Sequence, residues 1–115
     1  MSKIYYLSTC DTCKRIMNQW NLDGVQLQDI KHEPITEEQI DEMIALAGST
    51  EALFSKRARK YKELGLKDKT LNDGDIRALI LEEYTFLKRP VLIHDGAIFI
   101  GNSAKVVAAA ATALA

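Results

Sequence analysis

The sequence predicts an α/β fold: a mixed four-stranded sheet with helices on its faces and a helical insertion between strands two and three. Three observations predict it. The chain opens on an apolar run, a helical stripe and an alternating run. That is a β-α-β unit, whose right-handed crossover makes the two strands parallel. It closes on two apolar runs joined by Asp95-Gly96 and followed by a helix. Asp-Gly between such runs is a preferred type I′ hairpin turn, so the last two strands are antiparallel. Only helix signals lie between.

Each element has its own justification. Ile4, Tyr5, Tyr6 and Leu7 within Lys3–Ser8 form a nearly continuous run of β-favouring residues, as in a strand covered on both faces. Cys13, Ile16, Met17 and Trp20 then fall on one face of a 3.6-residue period. Asp11 or Thr12 is the expected cap of that helix, and Gly24 its expected stop. Val25–Ile30 alternates and reads as the second strand. In Pro34–Gly48, Thr36 and Gln39 make a capping box before the stripe Ile40, Met43, Ile44 and Ala47. Ser49 caps a short helix, a basic turn of helix closes at Gly65, and a longer helix starts near Asn72 or Asp73, buried through Ile76, Leu79 and Ile80. Asn102 or Ser103 caps the last, alanine-rich helix.

The 115 residues fit one domain over residues 1–115, and no repeat or linker interrupts them. Fifteen basic residues face sixteen acidic ones, for a net charge of -1, which argues against electrostatic capture of nucleic acid or an anionic membrane. No apolar run approaches the roughly 20 residues of a membrane span, and the first apolar stretch is too short for a signal peptide. These features imply a cytoplasmic protein, in a compartment where thiols stay reduced.

That compartment bears on Cys10 and Cys13, the only cysteines, in "CDTC". A metal clip needs two further ligands, and only His32 and His94 remain, far from finger spacing, so no metal is expected. Cys10 falls in the turn before the first helix and Cys13 in that helix's first turn. A helix N-terminus offers partial positive charge and free N–H donors, which favour a thiolate. Lys14 and Arg15 add charge nearby. Cys10 is therefore the candidate nucleophile. Cys13 reads either as the thiol that resolves a mixed disulfide on Cys10 or as a small core residue. His32 sits in a polar loop, and His94 ends a strand without evident partners. Trp20 is expected in the core.

A C-x-x-C between first strand and first helix is a thioredoxin-like plan. Three stretches narrow it further. "CDTCKR", "KRARKYKELGL" and "LKRPVLIHDGAIFIG" resemble, in order and spacing, the arsenate reductase-like family. It comprises glutaredoxin-linked arsenate reductases, Spx transcriptional regulators and small relatives, the last being the nearest in pattern. The resemblance runs from Lys3 to about Val107. It implies a thioredoxin-like fold with a helical insertion, Cys10 as nucleophile, and Cys13 as the second cysteine of the Spx-type redox switch.

It also implies roles for two arginines. Arg57, seven residues before Leu64, matches the arginine of Spx and the small relatives, whereas arsenate reductases tend to carry theirs near the position of Ser55. Arg89 matches the arginine of the "RP" motif, and Pro90 the proline that is cis in thioredoxin-like folds. A planar guanidinium binds oxyanions through two hydrogen bonds and raises the local positive potential. Both arginines are expected beside Cys10, with Thr12, Lys14, Arg59 and Pro90 as substrate-binding residues. The plainer reading of Arg57 and Arg59 is a solvated helix face. Where arsenate reductases carry a third arginine after strand four, this chain has Gly101-Asn102.

The resemblance thus implies a monomeric thiol reductase coupled to glutathione or glutaredoxin, with no bound cofactor and glutathione as reductant. Its alternative is an Spx-like regulator that binds RNA polymerase under control of a Cys10–Cys13 disulfide. A third reading is an interaction module with a vestigial site.

Overall fold

In the computed structural model, which describes residues 1–115, β1 (Ser2–Tyr6), β2 (Val25–Asp29), β3 (Val91–His94) and β4 (Ala97–Ile100) form one sheet in the order β2-β1-β3-β4. β1 and β2 are parallel, while β3 runs antiparallel to both β1 and β4. The order explains the composition of β1. Its place in the middle of the sheet accounts for the burial of Ile4 and Tyr5. The hairpin turn has positive φ at both Asp95 (48°) and Gly96 (84°), as a type I′ turn requires.

The chain divides into two compact units, Met1–Glu33 with Arg89–Ala115, and Pro34–Lys88. The first holds the sheet, α1 (Asp11–Met17) and α5 (Ala104–Leu114). Ile4 and Leu92 from the sheet pack with Ile16, Met17 and Trp20 from the α1 segment and with Ala110 and Leu114 of α5. Trp20 donates its indole N–H to the Val107 carbonyl at 3.2 Å, tying the α1 segment to α5. The Cys13, Ile16, Met17, Trp20 stripe is therefore the core face expected of it.

The second unit is wholly helical: α2 (Glu37–Ala47), α3 (Arg59–Glu63), α4 (Asp73–Glu82) and three short 3-10 turns. Thr36 and Gln39 close the expected capping box on α2, and Asn72 with Asp75 closes a second on α4. Ile40, Met43, Leu53, Phe54, Ile76, Ile80 and Phe86 are among its buried residues, while Leu79 is only half-buried. Phe54 stacks on Phe86 at 5.3 Å and meets Tyr61 edge-on at 5.9 Å. A groove of about 610 Å³ lies between Leu66, Leu71 and Asp75, and no candidate site residue lines it.

Two expectations need correction. Neither Asp11 nor Thr12 caps α1, because both already lie inside the helix and Cys10 is its N-cap. The helix also ends at Met17, not near Gly24; turns carry the chain through Trp20 to β2.

Candidate active site around Cys10

Strand polarity brings separate parts of the first unit to one end of the sheet. β1 and β2 end there, at Tyr6 and Asp29, which are partners in register. Tyr5 faces Val91, so β3 begins where β1 ends, and Arg89-Pro90 arrive beside the chain leaving β1. The Arg89-Pro90 peptide is cis, as the resemblance implies. Val91 also pairs with Ile100, and Gly101 N–H donates to the Pro90 carbonyl at 3.0 Å, so β4 ends at the same place.

Cys10 sits at this end. Its N–H donates to the Leu7 carbonyl at 3.0 Å, closing a tight turn, and its carbonyl accepts from Lys14 N–H at 3.2 Å, opening α1. As a neutral thiol at the N-cap it makes no capping hydrogen bond. Burial pushes this half-buried thiol up. The N–H and thiol of Cys13, the Arg89 guanidinium and the Thr12 N–H oppose that, and the net direction is below the ordinary thiol value. These are donors and a charge that favour the thiolate.

Cys13 shows the opposite behaviour three residues on. It is 0% exposed. Burial, the largest influence, together with Cys10 outweighs the Leu7 backbone and the Arg89 charge, and pushes its thiol up to about 11. Both cysteines are free. Two identical side chains are thus separated into an accessible thiolate former and a buried neutral thiol.

Among the other expected residues, Thr12 is half-buried in the first turn of α1, and Lys14 is exposed one turn on. Arg89 is half-buried and Pro90 buried, both at the sheet end just described. Arg57 and Arg59 belong to the second unit, where both are exposed, Arg57 in a turn and Arg59 as the first residue of α3. Asn102 is exposed directly before Ser103, whose hydroxyl accepts from Val106 N–H and caps α5.

Sequence reasoning missed Asp29. Its Oδ1 accepts from the N–H groups of Ser8 and Lys31, each at 3.2 Å, and its Oδ2 pairs with His32 Nδ1 at 2.6 Å. Burial would raise this carboxyl, but the bonds from Ser8 and His32, then the backbone N–H groups, hold it well below the usual carboxylate range. No local pattern links Asp29 to Ser8, 21 residues away. His94 also has partners that the sequence concealed. Ser2 Oγ bonds to its Nδ1, and the Asp95 carboxylate lies 3.4 Å from its Nε2, at the opposite end of β1 and β3 from Cys10.

A model of the ArsC family matches residues 5–110. This chain belongs to the ArsC family. The arsenate reductase of Yersinia enterocolitica is 29% identical to this ArsC-family chain over 93 residues, which cover 78% of the chain but 66% of that enzyme, just under two thirds of its length. Among solved structures, the protein YFFB (PA3664) matches all of both chains with a TM-score of 0.82 at 24% identity. SACOL0876 from Staphylococcus aureus matches 92% of this chain and 94% of its own, with a TM-score of 0.73 at 29% identity. The fold is thioredoxin-like, with the helical unit inserted between β2 and β3. No helix is long and apolar enough to cross a membrane.

Proposed function

We propose that this ArsC-family protein is a thiol reductase that uses Cys10 as nucleophile and glutathione, directly or through glutaredoxin, as reductant. The observation that carries the reading is the opposed character of the two cysteines: Cys10 at the α1 N-cap is lowered, and buried Cys13 is raised to about 11. A nucleophile needs a thiolate at neutral pH, and only Cys10 is built to supply one.

The proposed cycle rests on that difference. The Cys10 thiolate attacks the glutathionyl sulfur of a mixed disulfide. The substrate thiolate leaves and takes up a proton, and Cys10 is left bonded to glutathione. A second glutathione thiolate attacks that sulfur, releasing oxidised glutathione and restoring the Cys10 thiolate. Per turn one free glutathione is consumed and one substrate thiol released, and the oxidised glutathione carries the glutathionyl group taken from the mixed disulfide. Cys13, protonated at neutral pH, resolves the mixed disulfide more slowly than free glutathione can, because the thiolate is the attacking form. Arg89 supports the Cys10 thiolate by charge, while Thr12, Lys14 and Pro90 are the proposed contacts for substrate.

Arsenate is a weaker candidate substrate. Gly101-Asn102 stand where a third arginine would grip a tetrahedral oxyanion, and losing one charged hydrogen bond costs about 1.5–3 kcal/mol. The test is turnover of glutathionylated peptide and of arsenate by purified monomeric protein with glutathione and glutaredoxin. Disulfide turnover that vanishes in Cys10→Ser and survives in Cys13→Ser supports the reading; no turnover of either substrate overturns it.

The C-x-x-C spacing favours a second reading, an Spx-like regulator that binds RNA polymerase and is switched by a Cys10–Cys13 disulfide. Pull-down of RNA polymerase by the oxidised but not the reduced protein would favour it over the reductase.

A further inference from the structure

Asp29 stands at the junction of the two parallel strands. Tyr6 and Asp29 are the last paired residues of β1 and β2, and Ile30 N–H donates to the Tyr6 carbonyl at 2.9 Å, extending the ladder by one bond. Beyond this point both chains turn. One turn runs Leu7–Cys10 and ends on the nucleophile; the other runs Asp29–Glu33, its carbonyl accepting from His32 and Glu33 N–H at 3.1 and 2.8 Å. A single carboxylate oxygen, Asp29 Oδ1, accepts one N–H from each turn.

The Ser8 bond matters for chemistry because it anchors the turn that leads into Cys10. Ser8 and Thr9 are the central residues of that turn, which the Cys10 N–H closes on Leu7. If Ser8 swings, the N-cap swings with it, and Cys10 leaves the N–H groups of Thr12 and Cys13. The carboxylate is 17% exposed, so water competes poorly for it. Its partner His32 is 72% exposed and hangs outside the turn.

We infer that Asp29 is a positioning residue for the nucleophile: by accepting from Ser8 N–H it fixes the Leu7–Cys10 turn and so keeps the Cys10 sulfur on the α1 N-terminus. This rests on Cys10 being the nucleophile of the proposed reaction, but not on any particular substrate.

The role can be told from a through-space effect by its sign. Asp29 is negative. Were its charge the only thing Cys10 felt, removing it would favour the thiolate and move the Cys10 titration down. Loss of positioning removes N–H donors from the thiolate and moves the titration up. The two substitutions at Asp29 then separate charge from hydrogen bonding. Asp29→Ala removes both. Asp29→Asn removes the charge but leaves a carbonyl oxygen able to accept from Ser8.

The experiment is iodoacetamide alkylation of Cys10 against pH in the Cys13→Ser background, for Asp29, Asp29→Ala, Asp29→Asn and His32→Ala. Trp20 fluorescence and circular dichroism check that each variant is folded. At pH values below the midpoint, each unit of upward movement costs about tenfold in thiolate and returns about threefold in nucleophilicity, for a net slowing of about threefold. The titration midpoint is therefore the primary readout. Asp29→Ala should move it up and slow alkylation at pH 7 severalfold; Asp29→Asn should restore much of the parental behaviour, and His32→Ala should leave it unchanged. A folded Asp29→Ala with an unchanged or lower midpoint overturns the inference. Should that variant not fold, Ser8→Pro, which deletes the N–H donor and keeps the carboxylate, is read in its place, and an unchanged or lower midpoint overturns the inference equally. A parental midpoint at the ordinary thiol value would instead overturn the choice of Cys10 as nucleophile.

Discussion

Raising the pH should destabilise the protein through Cys13 over a defined window. Cys13 is fully buried, and its thiol is held protonated up to about 11, against an ordinary value of 9.0 for the unfolded chain. Between those values the folded state holds a proton that the unfolded state has released. Stability therefore falls with rising pH; the contribution is intact below pH 9 and gone above pH 11. One proton corresponds to about 1.4 kcal/mol per pH unit, so the full loss is about 2–3 kcal/mol. That is a large part of a typical stability of about 5–15 kcal/mol. Cys10 has the opposite sign. Its lowered value makes its contribution complete by pH 9, so it stays flat across the same window. The perturbation is Cys13→Ala. Every other ionisable group is common to both proteins and cancels in the difference, and any cavity left by the substitution is a constant offset. The assay is urea denaturation under reducing conditions from pH 8.5 to 11, followed by circular dichroism. The parent should lose about 2–3 kcal/mol more than Cys13→Ala across the window. Parallel profiles would refute the reasoning, because they would mean that Cys13 ionises in the folded protein as easily as in the unfolded chain.

Mild peroxide should join Cys10 to Cys13, read as the loss of two hydrogens within one peptide; only sulfinic acid or glutathione adducts on Cys10 would assign Cys13 to the core alone. Arg89→Ala should move the Cys10 alkylation midpoint up, since that charge supports the thiolate. Asn102→Arg should raise arsenate turnover about 10-fold or more if a charged hydrogen bond is what the site lacks; Gly101, with φ at 89°, is the wrong place for that arginine. Leu92→Ala, in a fully buried central strand, should cost about 2–5 kcal/mol in urea denaturation.

Local chemistry was legible in the sequence because its causes are local. The Thr36–Gln39 box, the Asp95-Gly96 turn and the Cys13–Trp20 stripe each depend on residues within one or two turns of one another, and each stands where its pattern placed it. The N-cap at Cys10 is not legible because cysteine is a poor capping side chain, whereas the neighbouring Asp11 and Thr12 are of the types that cap well. Asp29 was illegible for a different reason. It reads as the polar end of an alternating strand, and its bond to Ser8 exists only once β1 and β2 are paired. His94 seemed partnerless because its partner Ser2 lies on another strand, 92 residues away. The arginines divide likewise: Arg89 is brought to the Cys10 end by the β1–β3 register, while Arg57 lies in the separate helical unit.

The interleaving of the two units has a consequence for how the protein is made. β1, which carries the chain to Cys10, has β3 as one of its two neighbours, and β3 emerges only after the whole of Pro34–Lys88. At roughly 5–20 residues per second, a ribosome delivers Arg89 several seconds after Cys10. During that interval the first strand lacks one neighbour, and the Arg89 charge that favours the Cys10 thiolate does not yet exist. The proposed nucleophile therefore matures late. The Arg89 share of its acidity arrives with the hairpin, so until Arg89 is delivered the growing polypeptide carries the Cys10 thiol without that support.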